Sequence, residues 1–161
     1  MDHAGHDTGN THRPAPTSWR MAAQATAHCL TGCAIGEVLG MVIGTTFGWS
    51  NLATVVVSIA LAFLFGYALT MRGVLRAGLP LAAAVTTALA ADTVSITVME
   101  IVDNLVILAV PGALDAQLDT VLFWATMLVS LAVAFVLTTP VNKAMISRGK
   151  GHAVVHSLHG H

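Results

Sequence analysis

Four long apolar stretches constrain what this chain can fold into more than any other feature. They cover residues 21–49, 52–71, 79–110 and 121–139, and each reaches the roughly 20 residues that a helix needs to cross the hydrocarbon core of a bilayer. Charged residues make up only 9% of the sequence, whereas about a quarter is usual in soluble domains. The sequence therefore predicts an all-α membrane protein with four transmembrane helices. The first and third stretches exceed the bilayer thickness, so these helices are expected to tilt, kink or project beyond the lipid.

The basic residues all lie on one side of such a four-span arrangement. They are Arg13, Arg20, Arg72, Arg76, Lys143, Arg148 and Lys150. The connections near residue 50 and at 111–120 contain none. Because basic flanks stay on the cytoplasmic side of a membrane, both termini are predicted to be cytoplasmic, in a bacterial inner membrane.

The first apolar stretch carries two stripes of unusual residues. In a 3.6-residue helix one stripe contains, in steps of four, Cys29, Cys33, Glu37 and Met41. The adjacent stripe contains Gly32, Gly36, Gly40 and Gly44. Small residues at this spacing are typical of close helix contacts, either with another helix of the chain or with a second copy in a homo-oligomer. We predict that the first helix is central and that this face lines a path or pocket for a cation.

The third apolar stretch is amphipathic and acidic. Its polar face contains Asp92, Ser95, Met99, Glu100 and Asp103. When residues are counted along each helix from the start of its stretch, Cys33 reaches the same depth in the membrane as Asp92, and Met41 the same depth as Met99. If the first and third helices touch, their ligands are expected to interleave along one path.

The intramembrane carboxyl groups are the strongest argument for such a path. A carboxylate at mid-membrane costs about 2.5–3.5 kcal/mol on insertion scales. Four of them would cost on the order of 10 kcal/mol if they faced lipid, which rivals the stability of a whole domain. They are therefore expected to face protein, water or a bound cation. The simpler alternative is that they are protonated or hydrogen-bonded to nearby hydroxyl and amide groups and only hold helices together.

The sulfur groups suggest which cation. Thiolate and thioether are soft ligands that suit copper(I), while thiolate and imidazole also suit zinc. Packing as small apolar side chains is the alternative for both cysteines. His28 lies about 100° from Cys29, so it serves either this site or a neighbouring helix or second protomer. The predicted metal ligands are Cys29, Cys33, His28, Glu37, Met41, Asp92, Met99 and Glu100. The predicted path-lining residues are Ser95, Asp103, Gly36 and Gly40.

Seven of the eight histidines lie in two polar tails. The tails cover residues 1–20, expected to be disordered until something binds, and 147–161, on either side of a transmembrane domain at 21–146. The predicted metal-collecting residues in the tails are His3, His6, His152, His156, His159 and His161. The alternatives are a pH-sensitive solvated tail or a remnant of expression.

Two strings resemble a known family. HCLTGCAIGE at 28–37, together with GKGHAVVH at 149–156, resembles a bacterial membrane family described as a domain of unknown function. The resemblance covers the membrane portion and the start of the C-terminal tail. It implies a small four-span protein and supplies no activity.

Three functions are compatible with these patterns. The first is a homo-oligomeric channel or transporter for a transition-metal ion, copper or zinc, with a cytoplasmic metal carrier as a possible partner. The second is a proton or alkali-cation channel that uses the carboxylates, with the cysteines as packing. The third is a membrane scaffold or metal-delivery assembly factor that transports nothing. An enzyme is not expected, because the chain has no CxxC pair and no cofactor fingerprint, and no nucleic-acid partner is expected.

Overall fold

The described part of the chain is all-helical, as the sequence predicts. The computed structural model describes residues 18–76, 78 and 80–148. Within these residues there are four α-helices and one 3-10 turn: α1 (Trp19–Phe47), α2 (Asn51–Arg76), α3 (Leu81–Ala109), the turn Ala113–Asp115, and α4 (Val121–Ser147). The predicted metal-collecting histidines of both tails, and the string at 149–156, lie outside the described residues.

The helix ends follow local capping chemistry. The Ser18 hydroxyl accepts a hydrogen bond from the Met21 amide at 3.2 Å and starts α1. The Thr120 hydroxyl caps α4 in the same way. At the other end of α1, Gly48 adopts a φ of 62°, a left-handed conformation that costs glycine least. This cap lets the chain reverse within 48–50, so α1 and α2 are antiparallel neighbours.

Among the residues that the structure describes, three helices have the length and composition of membrane spans. They are Trp19–Phe47, Asn51–Gly73 and Val121–Ser147, with mean hydropathies of 1.5, 2.3 and 2.3. These helices indicate a membrane protein. α3 is as long as α1, at 29 residues, and carries three carboxyl groups.

The glycine stripe of α1 is the surface that contacts α2. A Cβ on Gly32 would lie 2.7 Å from the Cα of Gly66. Real Cβ atoms essentially never come this close to another heavy atom. The other glycines of the stripe face small α2 residues, and the two helices run in opposite directions. The pairs are Gly36 with Ala62, Gly40 with Ser58 and Gly44 with Thr54. The predicted close helix contact is therefore found, and its partner is α2 of the same chain.

Gly36→Ala is expected to destabilise the fold by about 1–3 kcal/mol, because the added methyl group meets backbone atoms of Ala62, which have no rotamer to move into. Gly73→Ala is the matched control, since a Cβ there meets no described atom within 4 Å and alanine favours a helix. The measurement is thermal unfolding of both variants in the same detergent. Equal melting temperatures for Gly36→Ala and the wild type would contradict the described α1–α2 contact.

α4 closes the bundle with a stripe of small and polar side chains. In steps of four, its buried residues are Thr126, Ser130, Ala134, Thr138, Asn142 and Ile146. The α3–α4 pairs run in opposite directions, since Ser95 contacts Asn142 whereas Asp103 contacts Ser130. Pro140 lies inside α4. The polar faces of α1, α3 and α4 therefore meet inside a single four-helix bundle.

Candidate functional site

The interior of the bundle contains a row of polar contacts between α1 and α3. The first contact lies nearest the start of both helices, where the Cys29 thiol donates to Oδ1 of Asp92 at 3.4 Å. The Thr70 hydroxyl of α2 also bonds the Asp92 carboxyl group. Cys29 and Asp92 are both buried. Three helices therefore contribute to this first layer.

The next layer, one turn further along α1, contains two sulfur atoms and a carboxyl group. The Cys33 sulfur lies 3.9 Å from the Met99 sulfur, and both side chains are 1% exposed. The thiol also lies within hydrogen-bonding reach of the Glu100 carboxyl group. Among the described residues, nothing donates a hydrogen bond to Oε1 of Glu100, although this side chain is only 6% exposed. A buried carboxyl oxygen without a partner is costly unless something else compensates it.

The third layer pairs two carboxyl groups. Glu37 and Asp103 lie within hydrogen-bonding reach of each other, and the Ser130 hydroxyl of α4 donates to Oδ1 of Asp103. Two carboxyl groups form a hydrogen bond only when a proton lies between them, and otherwise a shared cation must hold them together. We name the three layers the polar row: Cys29, Cys33, Glu37, Asp92, Met99, Glu100 and Asp103.

A cavity of about 80 Å³ adjoins the third layer. Its polar lining residues include Glu37, Glu100, Asp103, Asn104, Thr54, Ser58, Thr126 and Ser130. The rest of the lining is thioether or apolar: Met41, Met127, Val55, Ile59, Ile107, Ala113, Leu114 and Phe123. A volume of this size holds more than one water molecule, so a hydrated or partly hydrated ion has room beside the carboxyl groups.

A second cavity, of about 230 Å³, continues the first toward the connections at 48–50 and 110–120, which we call the turn end. The two cavities share the lining residues Met41, Thr54, Val55 and Leu114. Polar groups surround the second cavity, and near them Asn51 donates to Asp115 at 2.7 Å. The carboxyl groups of the third layer are therefore approached from the turn end.

Toward the opposite end of the bundle, an amide side chain joins three helices. Asn142 of α4 donates to the Thr26 hydroxyl of α1 at 2.8 Å and accepts from the Ser95 hydroxyl of α3. All three side chains are buried. The basic residues that are described lie at or near this end, which we call the basic end: Arg20, Arg72, Arg76, Lys143 and Arg148.

No described arginine or lysine lines the cavities beside Glu37, Glu100 and Asp103. The Lys143 ammonium group lies 3.9 Å above the Trp19 ring instead. An uncompensated group of carboxylates in a low-dielectric interior attracts a cation or retains protons. This electrostatic arrangement is the main chemical property of the interior.

The sequence placed α1 and α3 side by side but one to two turns out of register. It set Cys33 level with Asp92 and Met41 level with Met99, whereas the structure joins Cys29 to Asp92 and Cys33 to Met99. The difference arises because equal rises were counted from assumed helix starts, and α1 begins at Trp19 and α3 at Leu81. The tilt of one helix across the other adds to this offset. The interleaving of ligands from both helices is present.

The remaining predicted residues are distributed over several surfaces. Met41 lines both cavities. Gly36 and Gly40 lie in the α1–α2 contact, and His28 is half-buried and lines neither cavity. Ser95 belongs to the contact with Asn142.

Sequence reasoning missed the contribution of α4. The patterns above single out none of Met127, Ser130, Thr138 and Asn142. Stepping by four from Thr126 reaches Ser130, Ala134, Thr138 and Asn142, which is the signal that identifies this face.

The side chains of the second layer suit a soft metal ion. Two sulfur ligands bound at about 2.3 Å with an angle between tetrahedral and trigonal lie about 3.8–4.0 Å apart, which matches the Cys33–Met99 distance of 3.9 Å. Counting only histidine, cysteine, aspartate and glutamate, the described residues contain no group of three or more placed to hold a metal ion. Any site here therefore depends on the thioether of Met99.

Comparison with known proteins gives one match. A family model described as a domain of unknown function, DUF4396, matches residues 18–151. No curated protein and no solved structure matches the chain. The matched range contains all four helices and the polar row.

Proposed function

The chain belongs to the DUF4396 family, and we propose that it transports a transition-metal cation, copper(I) first and zinc second, through the interior of its own helix bundle. One observation carries the proposal. The Cys33 and Met99 sulfurs lie 3.9 Å apart in the bundle interior, beside a buried Glu100 oxygen to which no described group donates. A soft cation placed there would bind both sulfurs and compensate the carboxylate.

The order of ligands supports transport rather than storage. From the turn end inward, a cation would meet the oxygen groups of the cavity, then the sulfurs of the second layer, then Cys29 with Asp92. Oxygen ligands at the opening replace part of the hydration shell, and sulfur ligands further inside favour soft ions over magnesium and calcium. Conduction requires several sites of moderate strength in series, which this row provides.

The membrane arrangement is part of the proposal. α3 would be the fourth span, because its carboxyl groups face the bundle interior rather than lipid. The basic end would be cytoplasmic under the positive-inside rule, in a bacterial inner membrane. The polar row lies within one chain, so the proposed path does not depend on the homo-oligomer that the sequence predicts. The histidine tails and a cytoplasmic metal carrier would then collect or receive ions at the basic end.

A proton or alkali-cation channel is the second candidate. The hydrogen-bonding pair Glu37 and Asp103 favours it, since such a pair holds a proton where no described arginine or lysine lines the cavity. In that case the cysteines would only be packing, and Cys29 and Cys33 could be replaced by serine without loss of flux. The third function, a scaffold for another complex, predicts a partner in fixed ratio and no flux.

Flux into liposomes separates these functions. We expect purified protein to accelerate uptake of chelator-buffered copper(I) over protein-free liposomes, with zinc slower and potassium unchanged. Thiol-blocking reagents are expected to inhibit the copper flux. Potassium or proton flux that survives Cys29→Ser with Cys33→Ser, in the absence of copper flux, would replace the first candidate by the second.

A further inference from the structure

We propose that His28 is a positioning residue for the first layer of the polar row, and that it acts through the Thr70 hydroxyl of α2. The inference rests on the proposed function, because the first layer is part of the proposed cation path. In this arrangement a ring N–H of His28 donates to the Thr70 oxygen, and Thr70 donates to the Asp92 carboxyl group. A chain of hydrogen bonds then leads from the α1–α2 contact to the Cys29 thiol.

The register of the α1–α2 contact places His28 opposite Thr70. His28 continues the glycine stripe of α1, one turn before Gly32. The two helices run in opposite directions and pair in regular steps of four: Gly44 with Thr54, Gly40 with Ser58, Gly36 with Ala62 and Gly32 with Gly66. One further step pairs His28 with Thr70. Thr70 is buried and His28 is half-buried, and neither side chain is free.

The same step applied to α2 and α3 gives a contact that the structure contains. A Cβ added to Gly66 would meet the end of the Ile96 side chain. One step along these antiparallel helices pairs Thr70 with Asp92, and the Thr70 hydroxyl does bond the Asp92 carboxyl group. Counting in steps of four is therefore valid at the level of the bundle where we place His28 against Thr70.

The donor and acceptor groups set the direction of this chain of hydrogen bonds. A threonine hydroxyl has one hydrogen and a carboxylate only accepts, so the Thr70 hydrogen is used on Asp92. Toward α1 the Thr70 oxygen can then only accept, and an imidazole N–H of His28 is a group that donates. This donation strengthens the bond from Thr70 to Asp92, because hydrogen bonds in a chain polarise one another.

The effect of His28 is felt in the first layer. Asp92 accepts both from Thr70 and from the Cys29 thiol, the latter at 3.4 Å, so a firm bond to Thr70 orients the carboxyl group toward Cys29. Partners that orient a metal ligand matter, since their loss typically costs about 10–100-fold in affinity or activity. His28 thus serves the cation path without binding the ion itself.

The test reads the Cys29 thiol by infrared spectroscopy and needs no metal. Cys33→Ser in the full chain is the parent, in which Cys29 is the one remaining cysteine, so the S–H stretching band is assigned. Thr70→Val is expected to move this band to lower wavenumber, because Asp92 loses a competing donor and binds the thiol more strongly. His28→Phe keeps a ring but removes the N–H, and we expect a smaller shift in the same direction.

Rescue separates positioning from packing. His28→Gln and His28→Asn place an amide N–H near the positions of Nε2 and Nδ1, and one of the two should restore the band of the parent. Thr31→Val is the control, since this exposed hydroxyl of α1 bonds the carbonyl of Ala27 in its own helix, and the band should stay in place. If His28→Phe does not fold, His28→Leu removes the same N–H.

The positioning role and the proposed function fail separately. An unshifted band in folded His28→Phe overturns the role, even if copper flux is intact. A shift that neither amide variant reverses assigns His28 to packing and overturns the role as well. A shift that one amide variant reverses, in protein that moves no copper, supports the role of His28 and overturns the proposed cargo. In protein that moves copper, His28→Phe with both cysteines present should reduce uptake about tenfold.

Discussion

Glu100→Gln is expected to reduce copper transport at least about tenfold without lowering the stability of the folded protein. Glutamine keeps the shape of the side chain and an oxygen that can accept from the Cys33 thiol, but it removes the negative charge. Removing a group that only supports a metal ligand already costs about 10–100-fold in affinity or activity, and Glu100 would face the ion directly. The loss should appear in the liposome uptake rate.

The melting temperature of Glu100→Gln shows whether the Glu100 carboxylate serves function or stability. Oε1 of Glu100 is buried, and no described residue donates to it, so the wild-type side chain stabilises nothing through that atom. The melting temperature of Glu100→Gln is therefore expected to equal or exceed that of the wild type. Asp119→Asn is the matched control, because this exposed carboxyl group lines neither cavity and should transport normally. A fall in melting temperature that accompanies an unchanged copper flux in Glu100→Gln would show that Glu100 is structural.

Cys33→Ser combined with Met99→Leu is expected to weaken copper(I) binding at least about 100-fold, since ligands are removed rather than their supporting groups. Each change preserves volume well. Exchanges between methionine and leucine in a core usually cost less than about 1.5 kcal/mol, so the loss is not explained by unfolding. The affinity is measured by competition with a copper(I) chelator of known strength.

The single variants and a control locate the effect. Met71→Leu lies near the end of α2, outside the polar row and both cavities, and should bind copper as the wild type does. Either Cys33→Ser or Met99→Leu alone should lose part of the affinity, because a bound ion would touch both sulfurs. Wild-type affinity in the double variant would move the binding site away from the second layer.

The helices were predictable because their signals are local. Apolar stretches of sufficient length, the Gly48 turn and the cap residues Ser18 and Thr120 all act within a few positions of one helix. The cysteine stripe and the glycine stripe follow from helical geometry alone. That the glycines face α2 was not predictable, because the same spacing serves contacts within a chain and between copies.

The sequence predicts which residues of α1 and α3 belong to the site, but not which of them contact each other. Helical periodicity grouped the acids of α3 on one face, and the contact between α1 and α3 brings them to the cysteines. The pairing of Cys33 with Met99 depends on helix offset and tilt, which are set by the packing of all four helices. The contact of Asn142 with α1 and α3 was not predictable either, because a lone asparagine near the end of an apolar stretch carries no local signal of its partners Thr26 and Ser95.

The central claim is that a soft cation binds inside the bundle rather than on the histidine tails. X-ray absorption at the copper edge, on purified full-length protein loaded with one equivalent of copper(I), tests it most directly. The account predicts two sulfur scatterers at about 2.3 Å, both lost in the double variant Cys33→Ser with Met99→Leu. A spectrum dominated by nitrogen from imidazole, and unchanged in that variant, would contradict it.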